Sequence, residues 1–392
     1  MRNKIITAIA AIACTMAMNA QKTCVINGHI DNCKLADGKK IKEVYLTYTN
    51  EFGHVATVAK AKVKKGNYTL KCELASDAPV ERYTISGFGE GQGISLFVEP
   101  GEVIVSTETA TQPEQSTIAG TPTNDTYAAY ESIAVDAQKE VERQLAELVA
   151  LHGEAWLESP EGKQEAKRIK AKESIKSEAE ALRFLIDHNA SPMTPWVVEH
   201  SLFPKLSAAY AEQMTKAMAT SLHNHPYYHS LRNAMLASTL KVGSEAPDAT
   251  LMLHDGESRH LSDYRGKHVI LNFWSDEEQA AAMMAELKNV YEITREKGDE
   301  FVIISVSLEN DKNVMAAAVN HLGVDLEGWI HSCDGAGVSS PTAKRYNVDK
   351  TPRIILIEPE GHAVSLDMEI DELGMRVEQI LSGDLYYLDM EK

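Results

Sequence analysis

The sequence predicts a chain of several domains: an N-terminal antiparallel β-sandwich, a helical middle region and a C-terminal α/β domain. Three changes of pattern predict this order. Apolar and polar residues alternate from 23 to 109, apolar residues recur at three- and four-residue steps after Thr121, and continuous apolar runs alternate with helical stretches after Val242. The chain has 392 residues, enough for two or three domains of roughly 100 to 200 residues. The expected boundaries are 1–20 for a signal peptide, 21–112 for the sandwich, 113–240 for the helical connector and 241–392 for the α/β domain.

The N-terminal segment has the pattern of a secretory signal. Arg2 and Lys4 precede an apolar run, and the small residues Ala17 and Ala20 follow it. Cleavage after Ala20 is the first interpretation, and lipoprotein processing at Cys14 is the alternative. No later run approaches the roughly 20 apolar residues of a membrane span. We therefore expect a protein of the periplasm or cell envelope, which is an oxidising compartment.

Net charge restricts the class of partner. The formal charge is -18 at pH 7, with 57 acidic and 39 basic residues. Phosphate backbones and anionic membrane surfaces attract clustered Lys and Arg, and the basic residues here are outnumbered and scattered. The composition therefore argues against binding to nucleic acid or to an anionic membrane surface.

The β-rich segment is divided into strands by turns. Cys24, Ile26 and Ile30 share one strand face, and the turn at 65–67 separates two further strands. The runs 96–98 and 103–105, on either side of Pro100-Gly101, predict a hairpin. The N-terminal segment is therefore expected to form a small antiparallel sandwich.

Helical periodicity begins after a capping segment at 121–125. A first amphipathic helix is predicted from its apolar stripe, and a second over 161–188. The second helix is rich in Lys and Glu and is expected to be largely solvated. Its expected packing residues are Ile169, Ile175, Leu182 and Leu185.

The last segment alternates strands and helices. Residues 268–274 and 301–308 are continuous apolar runs, typical of central strands buried on both faces. Between them, Met283, Leu287 and Val290 form a helical stripe. Residues 352–357 and 363–368 predict a closing antiparallel hairpin, which a final helix follows.

Spaced motifs in this last segment resemble a known superfamily. They are Val242-Gly243 with Ala246-Pro247-Asp248, the stretch 261–267, Asn272-Phe273-Trp274 and Thr351-Pro352. The set resembles the thioredoxin-like superfamily, of the alkyl hydroperoxide reductase/thiol-specific antioxidant and periplasmic thiol-disulfide oxidoreductase type. The resemblance implies a thioredoxin fold for the last third of the chain and a cis Pro352 that faces the redox site. The N-terminal segment resembles the β-domain of unknown function that precedes thioredoxin domains in many envelope proteins.

The redox cysteine pair of that superfamily is missing. Alignment backward from Glu286-Leu287 places the two family cysteines on Glu277 and Ala280, and there is no Cys between Trp274 and His331. Disulfide exchange needs a thiolate nucleophile and a resolving thiol, and neither a carboxylate nor a methyl group replaces them. We therefore predict no catalytic residues at this position and a redox-inactive site. Ser275 or Asp276 is expected to cap the helix that starts there, and Glu278 lies three residues after Ser275, as in a capping box. The acidic residues 276–278 suit the positive end of the helix dipole, and an acid-base or metal role for them is the alternative.

The retained proline loop suggests binding in place of catalysis. Strand-like backbone beside Pro352 can hold an extended peptide, so Trp274, Thr351 and Pro352 are the expected binding residues for a peptide or protein of the envelope. The alternative is a thiol-disulfide oxidoreductase or antioxidant protein that uses another cysteine, such as Cys333. A third possibility is a rigid spacer in a larger assembly.

The remaining cysteines and histidines have simpler interpretations. Cys24, Cys33 and Cys72 are expected either to include a structural disulfide or to be buried thiols. His223, His225 and His229 lie close together, but Pro226 interrupts the helical register that would place them on one face. We expect no metal and no cofactor.

Overall fold

The computed structural model describes residues 23–203, 208–295 and 300–383. The predicted signal peptide and Cys14 lie outside the described residues. No helix within these residues is long and apolar enough to cross a membrane. The described chain divides into two compact units, one of residues 23–203 and 213–229, the other of residues 208–212 and 230–383.

The N-terminal part is a sandwich of two sheets. Its strands are β1 (Thr23–Asn32), β2 (Glu43–Thr49), β3 (Val55–Lys62), β4 (Asn67–Glu73), β5 (Glu81–Ser86), β6 (Ile94–Val98), β7 (Gly101–Thr109) and β8 (Thr117–Ala119). One sheet has the order β4-β1-β7-β8 and the other β3-β2-β5-β6. Alternate residues of both sheets form one apolar core, which includes Ile26, Leu46, Leu70 and Val103. The predicted β-sandwich is confirmed.

Two details of the sandwich differ from the prediction. Strands β1 and β7 run parallel, whereas the other pairs in this domain are antiparallel. The predicted hairpin at Pro100-Gly101 is wrong, because β6 pairs with β5 in one sheet and β7 pairs with β1 and β8 in the other. The turn therefore carries the chain from one sheet to the other. Local alternation cannot distinguish this from a hairpin, because both need two short strands and a turn.

The helical middle follows the sandwich. Its α-helices are α1 (Pro122–His152), α2 (Glu154–Leu157), α3 (Pro160–Asp187), α4 (Met193–Val197), α5 (Ala208–Ala217) and α6 (Pro226–Ser238), with a π-helical turn at Val198–Leu202. Ile169 and Leu185 are buried as predicted, but Ile175 is 68% exposed. The prediction for Ile175 is wrong because α1 and α3 form a long hairpin whose outer face has no covering layer among the described residues.

The start of α1 is fixed to the sandwich by side chains. The Glu99 carboxylate accepts hydrogen bonds from the backbone N–H of Thr123 at 2.7 Å and from its hydroxyl at 3.0 Å. The buried Asn124 amide accepts from the Phe97 N–H at 2.9 Å and donates to the Phe97 carbonyl at 2.8 Å. One of the first backbone N–H groups of the helix, that of Thr123, thus obtains a partner from the preceding strand region, and the Asn124 side chain adds two bonds to the same region.

The C-terminal part has a mixed sheet of order β13-β12-β11-β14-β15. Its sheet strands are β11 (His268–Trp274), β12 (Phe301–Ser307), β13 (Ile330–Ser332), β14 (Arg353–Ile357) and β15 (Ala363–Ser365), after the small hairpin of β9 (Thr250–Met252) and β10 (Ser258–His260). Its helices are α7 (Glu277–Arg295), α8 (Lys312–Leu322), α9 (Pro341–Arg345) and α10 (Ile370–Leu381).

Strand β11 lies at the centre of this domain. It runs parallel to β12 and antiparallel to β14, and all its residues are buried. Ile270 and Trp274 belong to one apolar cluster with α7 and α10, whereas Leu271 and Phe273 belong to a second cluster on the opposite face. This is the thioredoxin-like arrangement expected from the sequence, and the fold prediction is confirmed.

Candidate functional site

The candidate site lies where β11 ends and the chain enters α7. Phe273 is paired with Arg353 in the antiparallel register of β11 and β14. Continuing that register brings Ser275 beside Thr351. Their hydroxyl oxygens are hydrogen-bonded at 2.7 Å. The segment after the central strand is therefore held against the Thr351-Pro352 loop.

Helix α7 is capped by Asp276. Its Oδ1 accepts the backbone N–H of Gln279 at 3.0 Å, and its carbonyl accepts the N–H of Ala280 at 2.8 Å. The predicted capping box is wrong in one respect: the Ser275 hydroxyl is bonded to Thr351 and not to the helix. A carboxylate at this end also interacts favourably with the helix dipole.

Glu277 and Ala280 occupy different environments one helical turn apart. Glu277 is partly exposed, and its Oε1 is hydrogen-bonded to Nδ1 of His321, at the end of α8. Ala280 is buried, with 1% of its surface exposed. The sequence reasoning missed His321. His321 lies in the last turn of the helix that follows β12, and this position was the only indication in the sequence. Sequence spacing alone does not show that the end of this helix lies beside the start of α7.

The proline loop presents an accessible edge. The Thr351-Pro352 peptide bond is cis, Pro352 is exposed and Thr351 is partly buried. The backbone N–H and C=O of Thr351 make no hydrogen bond to any described residue. Arg353 is the first residue of β14 that pairs with β11, so these groups lie just before the paired part of the strand.

Trp274 is not placed for direct contact with a ligand. Its side chain is 1% exposed and packs in the cluster that contains Met283 and Leu373. Its indole N–H has no hydrogen-bond partner within the described residues. The expectation that Trp274 contacts a bound peptide directly is therefore corrected. Its side chain contributes to the packing of the apolar core next to the site.

Cys333 lies away from the proline loop. It follows β13, and the strands β12 and β11 separate β13 from β14, so roughly 14 Å of sheet width lies between Cys333 and Pro352 at the usual strand spacing. The Cys333 thiol is fully buried, and its S–H donates to the Glu309 carbonyl at 3.4 Å. Burial raises the pKa of this thiol above its ordinary value. The thiolate, the reactive form of the side chain, is therefore disfavoured.

The other predicted candidates lie in the N-terminal unit. Cys24, Cys33 and Cys72 are free thiols; Cys24 and Cys72 are buried and Cys33 is partly buried. The expectation for these cysteines was either a structural disulfide or buried thiols, and Cys24 and Cys72 are buried thiols in this structure. The described residues contain no group of three or more His, Cys, Asp or Glu side chains arranged to hold a metal ion. His223 instead stacks on the ring of Tyr228, with ring centres 4.6 Å apart.

Comparison with known proteins agrees with this fold. A family model described as thioredoxin-like matches residues 266–363, and one described as a domain of unknown function, DUF4369, matches residues 24–127. The thiol-disulfide oxidoreductase ResA of Geobacillus thermodenitrificans is 36% identical over 123 residues, which are 30% of this chain and 68% of that protein. The protein of the same name from Geobacillus kaustophilus is 28% identical over 156 residues, 40% of this chain and 77% of that protein.

A solved structure is also similar to part of this chain. The thioredoxin domain of a thiol-disulfide oxidoreductase from Bacteroides vulgatus is 26% identical, covers 36% of this chain and 99% of that chain, and gives a TM-score of 0.33. The fold and the position of the cis proline define a thioredoxin-like protein. By its C-terminal domain, the chain belongs to the thiol-disulfide oxidoreductase family within that class.

Proposed function

We propose that this chain is a non-catalytic member of its family, which binds an extended peptide or a protein segment in the cell envelope. The observation that carries this proposal is the pair of residues at the start of α7. Glu277 and Ala280, which we align with the redox cysteines, offer a carboxylate and a methyl group. Their environments fit that alignment, since Glu277 is partly exposed and Ala280 is buried.

The chemistry of these residues supports binding over disulfide exchange. Exchange proceeds by thiolate attack on a disulfide sulfur and needs a second thiol to resolve the intermediate. The Glu277 carboxylate is engaged with His321, and the Ala280 methyl group has no reactive atom. A helix N-terminus that would stabilise a thiolate instead stabilises the Asp276 and Glu277 carboxylates.

The proline loop supplies the binding surface in this proposal. An extended segment placed beside Thr351 can form backbone hydrogen bonds with its N–H and C=O, which are not bonded to any other residue that the structure describes. Such bonds would add a strand-like contact to the end of the sheet. Exposed Pro352 provides an apolar surface next to those groups. The exposed residues Asp276 and Glu278 closely follow Ser275, which is bonded to Thr351, and their carboxylates are expected to disfavour acidic peptides.

Fluorescence anisotropy with short unstructured labelled peptides tests the proposal. Wild type is compared with Pro352→Ala and with Val338→Ala, a matched control at an 80% exposed apolar residue of the same domain. We expect Pro352→Ala to weaken binding at least about tenfold, equivalent to about 1.4 kcal/mol, with no change for Val338→Ala. Equal binding by all three proteins, or none by wild type, contradicts the proposal.

The second candidate function is an oxidoreductase or antioxidant activity through Cys333. Its support is the presence of one free thiol in the C-terminal domain, at the same end of the parallel strands as the start of α7. The full burial of the Cys333 thiol and its raised pKa argue against this second function. Insulin reduction with dithiothreitol, measured for wild type and Cys333→Ser, separates the two functions. Activity above the background that is lost in Cys333→Ser would establish the second.

A further inference from the structure

Two cysteines of the sandwich lie directly opposite each other. In the antiparallel register of β1 and β4, Cys24 is the partner of Cys72. Both side chains face the same apolar core, because residues on the same strand face, such as Ile26 and Leu70, also belong to it. Burial raises the pKa of Cys24 to about 11, and the nearby Cys72 thiol contributes to that rise. The two sulfur atoms are therefore close neighbours in the sandwich.

The hydrogen-bond pattern defines the kind of pair they form. The Ile30 N–H donates to the Gly66 carbonyl at 2.9 Å, in the continuation of the same register. Hydrogen-bonded and non-bonded pairs alternate along antiparallel strands, so Cys24 and Cys72 form a hydrogen-bonded pair, for which the Cα atoms are about 5.5 Å apart. That separation lies within the range of about 4.4 to 6.8 Å found across disulfides.

The Cβ atoms of such a pair are further apart than a relaxed disulfide needs. The Cβ atoms of residues that lie opposite each other on antiparallel strands are about 4.5 to 5.5 Å apart, and hydrogen-bonded pairs have the larger distances. The Cβ atoms of a disulfide are about 3.5 to 4.5 Å apart. A bond between these sulfurs would therefore need a local approach of the two strands. Strained disulfides are more easily reduced than relaxed ones, so such a bond would be reversible.

We propose that Cys24 and Cys72 form a reversible intrachain disulfide that links β1 to β4. This site is independent of the proline loop and of the peptide binding proposed for it. Cys33 is excluded as a partner by its position, since its S–H donates to the Ile30 carbonyl at 3.4 Å beyond the paired part of β1. The bond would hold the first described strand to its neighbour.

Access to the pair comes from the end of the strands. Thr23 and Glu73 form the last pair of this ladder, so Cys24 and Cys72 lie one residue from its end. Opening of a strand end is a low-energy local motion and exposes both thiols. Cys72, at 8% exposure, is more accessible than Cys24, at 0%, and is expected to react first.

The oxidant in this step is a disulfide, either a small molecule or another protein. The Cys72 thiolate attacks one sulfur of that disulfide, which forms a mixed disulfide and releases the first thiolate. The Cys24 thiolate then attacks the Cys72 sulfur, which forms the intrachain bond and releases the second. Both protein thiols lose their protons, which the two released thiolates accept. The added disulfide is reduced to two thiols, and Cys24 and Cys72 are oxidised.

Peptide mapping of the full chain tests this bond. The protein is incubated with oxidised glutathione, free thiols are blocked by alkylation, and cross-linked peptides are identified by mass spectrometry. We expect a peptide pair that joins Cys24 to Cys72 and disappears after treatment with dithiothreitol. Both cysteines alkylated, a glutathione adduct alone, or a cross-link to Cys33 instead would overturn the proposal.

A stability measurement on oxidised and reduced protein gives a second readout. The oxidised wild type is expected to melt several degrees above the reduced wild type, because the link restricts the unfolded chain. Cys72→Ser should abolish this difference, and the matched control Cys333→Ser, a buried cysteine of the other unit, should retain it. An equal oxidation-dependent shift in Cys72→Ser would also overturn the proposal.

Discussion

The hydroxyl groups of Ser275 and Thr351 form a hydrogen bond of 2.7 Å although 76 positions separate the two residues. This bond joins the first residue after the central strand to the residue before the cis proline. It is a direct consequence of the antiparallel register of β11 and β14. The proline loop and the start of α7 are thus held together at the edge where the family has its redox site.

A double-mutant cycle measures the contribution of this bond. We expect Ser275→Ala and Thr351→Val each to lower the free energy of unfolding by about 1 kcal/mol, because each leaves a partly buried hydroxyl without its partner. The double variant should lose less free energy of unfolding than the sum of the two single losses, and the difference, the coupling energy, should be about 0.5 to 1.5 kcal/mol. Urea unfolding followed by tryptophan fluorescence provides the values. Strictly additive losses would mean that the hydrogen bond contributes no stability.

Installing a cysteine pair tests the alignment with the family. The variant Glu277→Cys with Ala280→Cys is expected to reduce insulin in the presence of dithiothreitol faster than wild type. The reason is that the start of α7 would lower the pKa of the first thiol and the buried second position would supply the resolving thiol.

A pair displaced by one residue is the control for this gain of activity. Glu278→Cys with Ala281→Cys keeps the same spacing but places both thiols at exposed positions. We expect little or no activity from this control. Greater activity in the displaced pair would show that the redox positions are 278 and 281 and that the alignment to 277 and 280 is wrong.

Asn124 is expected to be essential for attachment of α1 to the sandwich. Asn124→Ala leaves both the N–H and the carbonyl of buried Phe97 without their partners, which should cost about 2 to 5 kcal/mol. The matched control is Asp125→Ala, which removes an exposed bond to the Gly120 N–H and a carboxylate from the first turn of the same helix. Urea unfolding followed by circular dichroism compares the two. A loss for Asn124→Ala no greater than that of the control would contradict the assignment.

His331 should make the C-terminal domain less stable as the pH falls. Burial lowers the pKa of this imidazole below its ordinary value of 6.5. Above pH 6.5 both the folded and unfolded forms are neutral and the stability is fully present. Between pH 6.5 and the lower folded pKa, only the unfolded form takes up a proton, so the free energy of unfolding falls by at most about 1.4 kcal/mol per pH unit.

His331→Gln removes this titration and retains a donor for the Val324 carbonyl. We expect a flatter dependence of melting temperature on pH between 5 and 7 for this variant, in buffers of equal ionic strength. The control is His54→Gln, an exposed histidine of the N-terminal unit, which should follow wild type. Identical pH profiles for His331→Gln and wild type would exclude this contribution.

The sequence predicted the parts of the fold that depend on local pattern. Strand and helix periods identified the buried faces of β1 and α7, because the spacing of apolar residues is fixed by the geometry of each element. A continuous apolar run identified β11 as a central strand buried on both faces. The resemblance to the thioredoxin-like superfamily implied the cis bond before Pro352 and the class of the C-terminal domain.

By itself, then, the sequence determined the order of the domains, their element types and the absence of cysteine between Trp274 and His331. Tertiary structure decided which residues meet: Ser275 with Thr351, Glu277 with His321, and Cys24 with Cys72. It also decided that Trp274 is buried and Ile175 exposed. The physical reason is that the spacing of apolar residues shows which face of a helix or strand is buried. Which residues that face contacts depends on the register and packing of segments that are distant in the chain.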